Sequence, residues 1–374
     1  LTKPKVDERF CDANAGVPAT PEVLAEFLAV EQSCPANPAS SHAAGRRARG
    51  ALEAARSRIA EALHLNAADV VFTSGGTEAA NLAVTGLGDS ALPILLSPAE
   101  HPAVLEPSAQ RGCLWWSLDA EGGAQVVAPV SQPGLLCLVH AQSELGTVQP
   151  VADAARLAKT LGVPLFVDAA QSLGRLPLAH LVALGAILAL SPHKCGGLRG
   201  HGVLAGAGLA SCLRPLLRGG GQEHGLRPGT QSPALAAANA LAIVHAERDC
   251  EARSAAMATV RAEFLTGLQA SAVQHRLLTP LARSIANTAM VLFPGIDGRN
   301  LLPTLDLAGV QASHGSACSS GAPTPPRVLT AIGLDVEQAR ASVRFSFDWR
   351  MEVGLARELG HRVGTVVHAR QKKI

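Results

Sequence analysis

Lys194 stands just beyond the apolar run 186–190, between His193 and Cys195 and ahead of two glycines. An amine hemmed in this way is poorly solvated and suited to forming a Schiff base with a carbonyl. A solvated surface lysine is the plainer alternative. Asp168 closes another apolar run, in Phe-Val-Asp-Ala-Ala-Gln-Ser at 166–172. A carboxylate at the end of a buried strand needs a cationic or strongly hydrogen-bonding partner. The protonated nitrogen of a pyridine ring would serve, and so would the cap of a following helix. At 71–78, Val-Phe-Thr-Ser-Gly-Gly-Thr-Glu runs a strand through two glycines into a helical segment. Such a turn points backbone N–H groups at an anion such as phosphate, although Thr77 as an ordinary helix cap explains the same residues.

Three further positions carry chemical potential. Cys318 lies in Ser-His-Gly-Ser-Ala-Cys-Ser-Ser-Gly-Ala-Pro at 313–323, a run of small, polar and turn-forming residues rather than the apolar surroundings of a structural thiol. Exposure alone does not make a thiol reactive. His101, after Glu100 and before Pro102, is placed either to stack on a ring or to cap a helix. Arg344 sits between apolar neighbours in Ala-Ser-Val-Arg-Phe-Ser at 341–346, which suits a carboxylate clamp; a surface salt bridge is the alternative.

These residues need a scaffold that gathers strand ends. From about 21 to 240, apolar runs of strand length at 70–73, 93–96, 135–140, 164–167, 186–190 and 202–205 alternate with longer segments rich in Ala, Leu, Arg and Glu. That alternation predicts βα units and a mostly parallel sheet buried on both faces, with functional residues in loops at the strand ends. Residues 41–63 form the clearest helix, and 235–269 reads as long helices leaving the sheet. Beyond them the pattern changes to a strand at 287–293, a helix at 299–307, a strand at 343–346 and a helix at 351–371, the outline of a small α+β unit.

The 374 residues exceed what one core fills comfortably, so two domains are expected. A formal charge of only +2 offers no field to attract nucleic acid or an anionic membrane, which leaves a small-molecule substrate as the better fit. No apolar run approaches the ~20 residues of a membrane span, and the first residues lack the basic start and apolar stretch of a signal peptide; a cytoplasmic location is the expectation. Eight cysteines without a C-x-x-C pair or a Cys/His cluster suggest neither zinc nor a redox dithiol. With no tyrosine in the chain, ring stacking falls to His, Phe or Trp.

Taken in order, the segments resemble the cysteine desulfurases of the class V aminotransferase group, the NifS/IscS-like branch. The likeness runs through Asn37-Pro-Ala-Ser-Ser-His-Ala-Ala-Gly-Arg-Arg, Thr73-Ser-Gly-Gly-Thr-Glu-Ala-Ala-Asn, Glu100-His, Glu144-Leu-Gly-Thr-Val-Gln, Val167-Asp-Ala-Ala-Gln-Ser, His193-Lys, Gly219-Gly-Gly-Gln-Glu, Arg227-Pro-Gly-Thr, Gly315-Ser-Ala-Cys and Ser342-Val-Arg-Phe-Ser. Each is weak alone, but the ordered set is specific. The resemblance implies the α/β fold of type I pyridoxal-phosphate aminotransferases, with residues 15–250 as a large cofactor-binding domain. Residues 1–14 and 251–374 would form a small domain carrying the Cys318 loop.

It also implies roles. Lys194 would hold pyridoxal 5'-phosphate covalently, Asp168 would keep its ring nitrogen protonated, Gln171 would contact the ring oxygen and His101 would stack on the ring. Gly76, Thr77, Ser191 and His193 would bind the phosphate together with Thr230 of a second subunit, which implies a homodimer. Asn14 and Ser143 would lie by the substrate, and Arg344 would take its carboxylate. With Lys194 or His101 as base, Cys318 would attack the sulfur of L-cysteine. The products would be alanine and a Cys318 persulfide for an acceptor protein, in iron–sulfur cluster assembly or another pathway. No metal enters.

Three departures qualify the likeness. Gln142 and Ser143 stand where two asparagines are common, Asp12-Ala-Asn-Ala-Gly-Val-Pro replaces an Ala-Thr-Thr-Pro ending, and Gln222 and His224 stand where His and Arg are common. The rival readings are a selenocysteine lyase or C–S lyase on the same fold, a 2-oxo-acid aminotransferase, and a degenerate paralogue that binds the cofactor or a partner without chemistry.

Overall fold

The structure is a computed structural model and describes residues 9–296, 298–315 and 325–371. Its main sheet has seven strands: β1 Val70–Thr73, β2 Ile94–Leu96, β3 Cys113–Trp115, β4 Leu135–Val139, β5 Leu165–Asp168, β6 Ala186–Leu190 and β7 Gly202–Ala205. They lie side by side in the order β1-β7-β6-β5-β4-β2-β3. All neighbours are parallel except at β7, which runs antiparallel to both β1 and β6.

Alternating side chains bury both faces of this sheet. Leu136, Leu138, Leu188 and Leu190 enter one core with Ile59 and Leu63 of the helix Ala43–Leu63 and the alanine-rich helix Pro233–Arg248. Leu135, Cys137, Ile187 and Ala189 enter the other, against the helix Gly76–Gly86. The expected helix at 41–63 starts two residues later, where the His42 imidazole accepts the Gly45 N–H. The edge strand β3 was not foreseen: three partly exposed residues are too few to show a period.

A second sheet has the order β10-β9-β8, with β8 Arg276–Leu277, β9 Thr288–Leu292 and β10 Ser342–Ser346. Its core gathers Cys11, Val291, Val343 and Phe345 with the helices Cys250–Ala270 and Val353–Gln371. Phe264 stacks against Phe345 and Phe347 at 4.7 and 5.0 Å. The two helices touch through Gly267 and Gly360, where a Cβ would fall 2.0 Å from the backbone oxygens of Arg357 and Phe264. No described helix is long and apolar enough to cross a membrane.

A buried ion pair ties the glycine-rich segment after β7 to β1. Arg56 meets the Glu223 carboxylate at 2.6 and 2.9 Å, and that carboxylate also accepts the Phe72 N–H at 2.9 Å. Glu223 itself is held in the left-handed backbone region, at φ 49°. Removing one partner leaves an uncompensated buried charge. Glu223→Ala should therefore lower the unfolding free energy by about 3–5 kcal/mol, read by urea denaturation. A loss under about 1 kcal/mol would mark the pair as no stronger than a surface bridge.

Candidate functional site

The carboxyl ends of β4, β5 and β6 open on a cavity of about 190 Å³ lined by Asn14, Gly76, Thr77, His101, Ser143, Asp168, Gln171, Ser191, His193, Lys194 and Arg344. Loop and helix starts supply the side chains, as expected where parallel strands end. Of the positions singled out in the sequence, only two are not among them. Thr230 is exposed and does not line this chain's cavity, and Cys318 lies outside the described residues.

Three strand ends position the chemistry. Asp168 is the last residue of β5, flanked in register by Val139 of β4 and Ala189 of β6; it is buried, and its Oδ1 accepts the Ala170 N–H at 2.9 Å. After β6, a single 3-10 turn at Pro192–Lys194 brings Lys194 to the cavity wall. The N-terminal segment crosses over that turn, with Val17 N donating to His193 O and Thr20 N to Gly196 O, both at 3.0 Å. After β1, the helix Gly76–Gly86 starts at the cavity with no side-chain cap on its first N–H groups.

These residues fit pyridoxal phosphate. The uncapped helix start, the hydroxyls of Thr77 and Ser191 and the bare backbone of Gly76 make an anion cradle. A Cβ at Gly76 would fall 2.1 Å from Ser191 Oγ, so only glycine leaves that cradle open. Asp168 offers a carboxylate for a ring nitrogen and Lys194 an amine for an aldehyde. The walls between them are the small side chains Ala99, Ala103, Ala141 and Ala170.

Burial sets the protonation of the neighbours. His193 is pushed down to about 4, mainly by burial and then by the charges of Lys194 and Arg199, so its ring is neutral. His101 is also lowered, first by burial, with Lys194 adding to the effect against the opposing pull of Asp168 and Glu144. His101 Nδ1 accepts the Ala103 N–H at 3.1 Å as the cap of the helix Pro102–Ala109. That bond places the proton of the neutral ring on Nε2. Cys195, next to Lys194, is buried with its thiol 3.2 Å from Pro192 O, and burial pushes it up to about 12.

Arg344 belongs to β10 of the second sheet and reaches the same cavity. Its Nη2 bonds Asp12 Oδ1 at 2.6 Å and its Nη1 donates to Ser143 O at 3.0 Å. Asn14 donates to the same Ser143 carbonyl, and Gln171 Nε2 donates to Asn14 O at 2.9 Å. The Ser143 hydroxyl turns away, to Glu144 Oε2 at 2.7 Å. Sequence reasoning did not single out Asp12 or Glu100 as site residues. Glu100 is buried with Oε1 on the Val139 N–H at 2.8 Å, taking the place that β2, which ends at Leu96, leaves beside β4. A carboxylate next to a suspected site histidine was the available signal for Glu100, and for Asp12 it was its place at the head of the departing segment 12–18.

Sheet order and the placing of amine, carboxylate and helix start define a pyridoxal-phosphate enzyme of the aminotransferase type. Comparison with known proteins narrows this. The model described as Aminotransferase class-V matches residues 9–353. The cysteine desulfurase IscS of Dictyoglomus turgidum is 32% identical over 364 residues, covering 91% of this chain and 89% of the relative. The IscS-like cysteine desulfurase of Mycobacterium tuberculosis is 33% identical, covering 90% of each. A solved NifS-like protein superposes with a TM-score of 0.86 at 27% identity, over 96% of this chain and 99% of its own. The chain belongs to the class-V aminotransferase family, in its cysteine desulfurase group.

Burial raises the Glu100 carboxyl from an ordinary 4.5 to about 8, with the Asp168 charge adding to the effect against the opposing Val139 N–H bond. Between those values the folded chain keeps a proton that the unfolded chain releases, so this group's stabilising contribution is full below pH 4.5 and fades as pH rises towards 8. Glu100→Gln should flatten the fall in unfolding free energy over that window by up to about 1.4 kcal/mol per pH unit, measured by urea titration at stepped pH. An unchanged slope would mean that the carboxyl is already ionised in the folded chain.

Proposed function

We propose that the protein is a cysteine desulfurase that converts L-cysteine to L-alanine and carries the sulfur as a persulfide on Cys318 for an acceptor protein. The observation that carries this is the convergence of Lys194, Asp168 and Arg344 on one cavity. The cysteine desulfurases to which the chain is similar over nine-tenths of its length support the choice of substrate.

Bound pyridoxal phosphate supplies an aldehyde that bonds amines and a ring that draws electrons from the attached carbon. Lys194 would hold that aldehyde through its amine and, when free, would serve as the base for the substrate α-proton. Asp168 would keep a proton on the ring nitrogen, Gln171 would contact the ring oxygen, and Gly76, Thr77, Ser191 and His193 would hold the phosphate, all from the lining of one cavity. Arg344 holds the substrate carboxylate through its guanidinium, with Ser143 and Asn14 bracing it. The neutral His101 presents its Nε2–H to the cavity as a donor, because its Nδ1 is committed to the helix cap.

The Cys318 thiolate bonds the substrate sulfur while the carbon–sulfur bond breaks, its electron pair stays on carbon, and a proton then completes alanine. The residues flanking the 316–324 segment support this role. Gly315 and Pro325 both line a second cavity of about 370 Å³ that shares Ala99, His101 and Ser143 with the first. Thr230, exposed and outside its own cavity, serves the phosphate of a second copy in a homodimer. Residues 15–250 act as the cofactor-binding domain, and 1–14 with 251–374 as the small one. The enzyme works in the cytoplasm, and iron–sulfur cluster assembly is one destination for its sulfur.

The test is alanine and sulfide release from L-cysteine by the loaded enzyme with a reductant. Cys318→Ala should retain the bound-cofactor absorbance and lose alanine formation by at least about a hundredfold. A variant still making alanine would point instead to a C–S or selenocysteine lyase. Arg344→Ala should raise KM for L-cysteine about 10- to 100-fold, the worth of hydrogen bonds to a charged group. An unchanged KM would remove Arg344 from the substrate site.

A further inference from the structure

The guanidinium assigned to the substrate carboxylate is already opposed by a charge from the other end of the chain. Asp12 and Arg344 are 332 residues apart, and their side chains are 17% and 2% exposed. Backbone register holds them together. Arg344 exchanges both backbone bonds with Ser313, at 2.7 and 3.2 Å, while Ser346 N donates to Cys11 O and Ala13 N to Ser346 O. The pair is therefore built into the second sheet and is not a chance contact of two long side chains.

The remaining donors are few. Nη1 is shared with Ser143 O, and the buried Nε has no partner among the described residues. Arg175 is buried close by and feels the Arg344 charge. Its own bonds go to neutral oxygens of Gln171 and Ala13. An anion entering the cavity meets the Arg344 guanidinium, whose charge Asp12 offsets.

We propose that Asp12 is an affinity-setting residue for the α-carboxylate subsite. By offsetting the charge of Arg344 it weakens the hold on amino-acid carboxylates, so that product alanine leaves readily. This rests on the reading of Arg344 as the carboxylate clamp and extends it to the acid paired with that clamp. A residue that only orients Arg344 would have the opposite effect, since its loss would loosen the clamp.

The experiment titrates L-alanine into cofactor-loaded wild type, Asp12→Asn and Asp12→Glu by calorimetry, with KM and kcat for L-cysteine measured alongside. Asparagine keeps an acceptor for Nη2 while removing the charge, and Asp12→Ser repeats the charge removal if asparagine disturbs folding. Charge removal should tighten L-alanine binding roughly three- to tenfold and lower KM without raising kcat, with Asp12→Glu close to wild type. Weaker or unchanged alanine binding on charge removal would overturn the proposal, as would equal shifts in the Asn and Glu variants. If wild type makes no alanine from L-cysteine, the desulfurase reading falls, while the alanine titration still decides the role of Asp12.

Discussion

The geometry of the cavity depends on one buried amide. Asn14 donates its side-chain N–H groups to Ser143 O and Thr288 Oγ1, accepts from Asn287 Nδ2, takes Gln171 Nε2 on its carbonyl and gives its own backbone N–H to Ser346 Oγ. Ser143 and Gln171 follow strands of the seven-stranded sheet, whereas Thr288 and Ser346 belong to the second sheet. The residue thus pins the ends of β4 and β5, the second of which carries Asp168, to the sheet that carries Arg344. Its burial makes every one of those bonds expensive to leave unmade. Asn14, expected beside the substrate, lines the cavity and also braces Ser143 and Gln171.

Charge in the cavity follows from burial as much as from sequence. His193, in the lining, is pushed down to about 4 and stays neutral, and Glu100, just before the lining residue His101, is pushed up. Lys194, Arg344 and Asp168 line the same cavity, and Asp12 bonds Arg344. Lys194 thus lines the cavity next to an imidazole, His193, that adds no charge of its own. The uncapped helix start would balance a phosphate through backbone dipoles, adding no further formal charge.

Much of the scaffold was legible because strands buried on both faces write themselves as apolar runs, as at 135–139 and 186–190. The Lys194 turn, Asp168 and the Gly76–Thr77 start were legible for a related reason: each is a local pattern, a strand end followed at once by the reactive residue. The edge strand β3 was not, because Cys113–Trp115 is short and half in water. Nor was the reversed direction of β7, which depends on partners far along the chain. The bond between Asp12 and Arg344 spans nearly the whole sequence, and the raised Glu100 depends on a Val139 N–H that no motif mentions. Thr230 joins the site only by resemblance, since within one chain it stays outside.

The burial of Cys195 has a bearing on where sulfur goes. Sulfane sulfur passes between thiolates, so any accessible thiolate beside the reacting centre would compete for it. Cys195 is next in sequence to Lys194, yet its sulfur faces a backbone oxygen and keeps its proton far above neutral pH. Protonated and enclosed, it is a poor nucleophile. Were a persulfide formed nearby, Cys195 would stay out of the exchange, serving as packing behind the Lys194 turn.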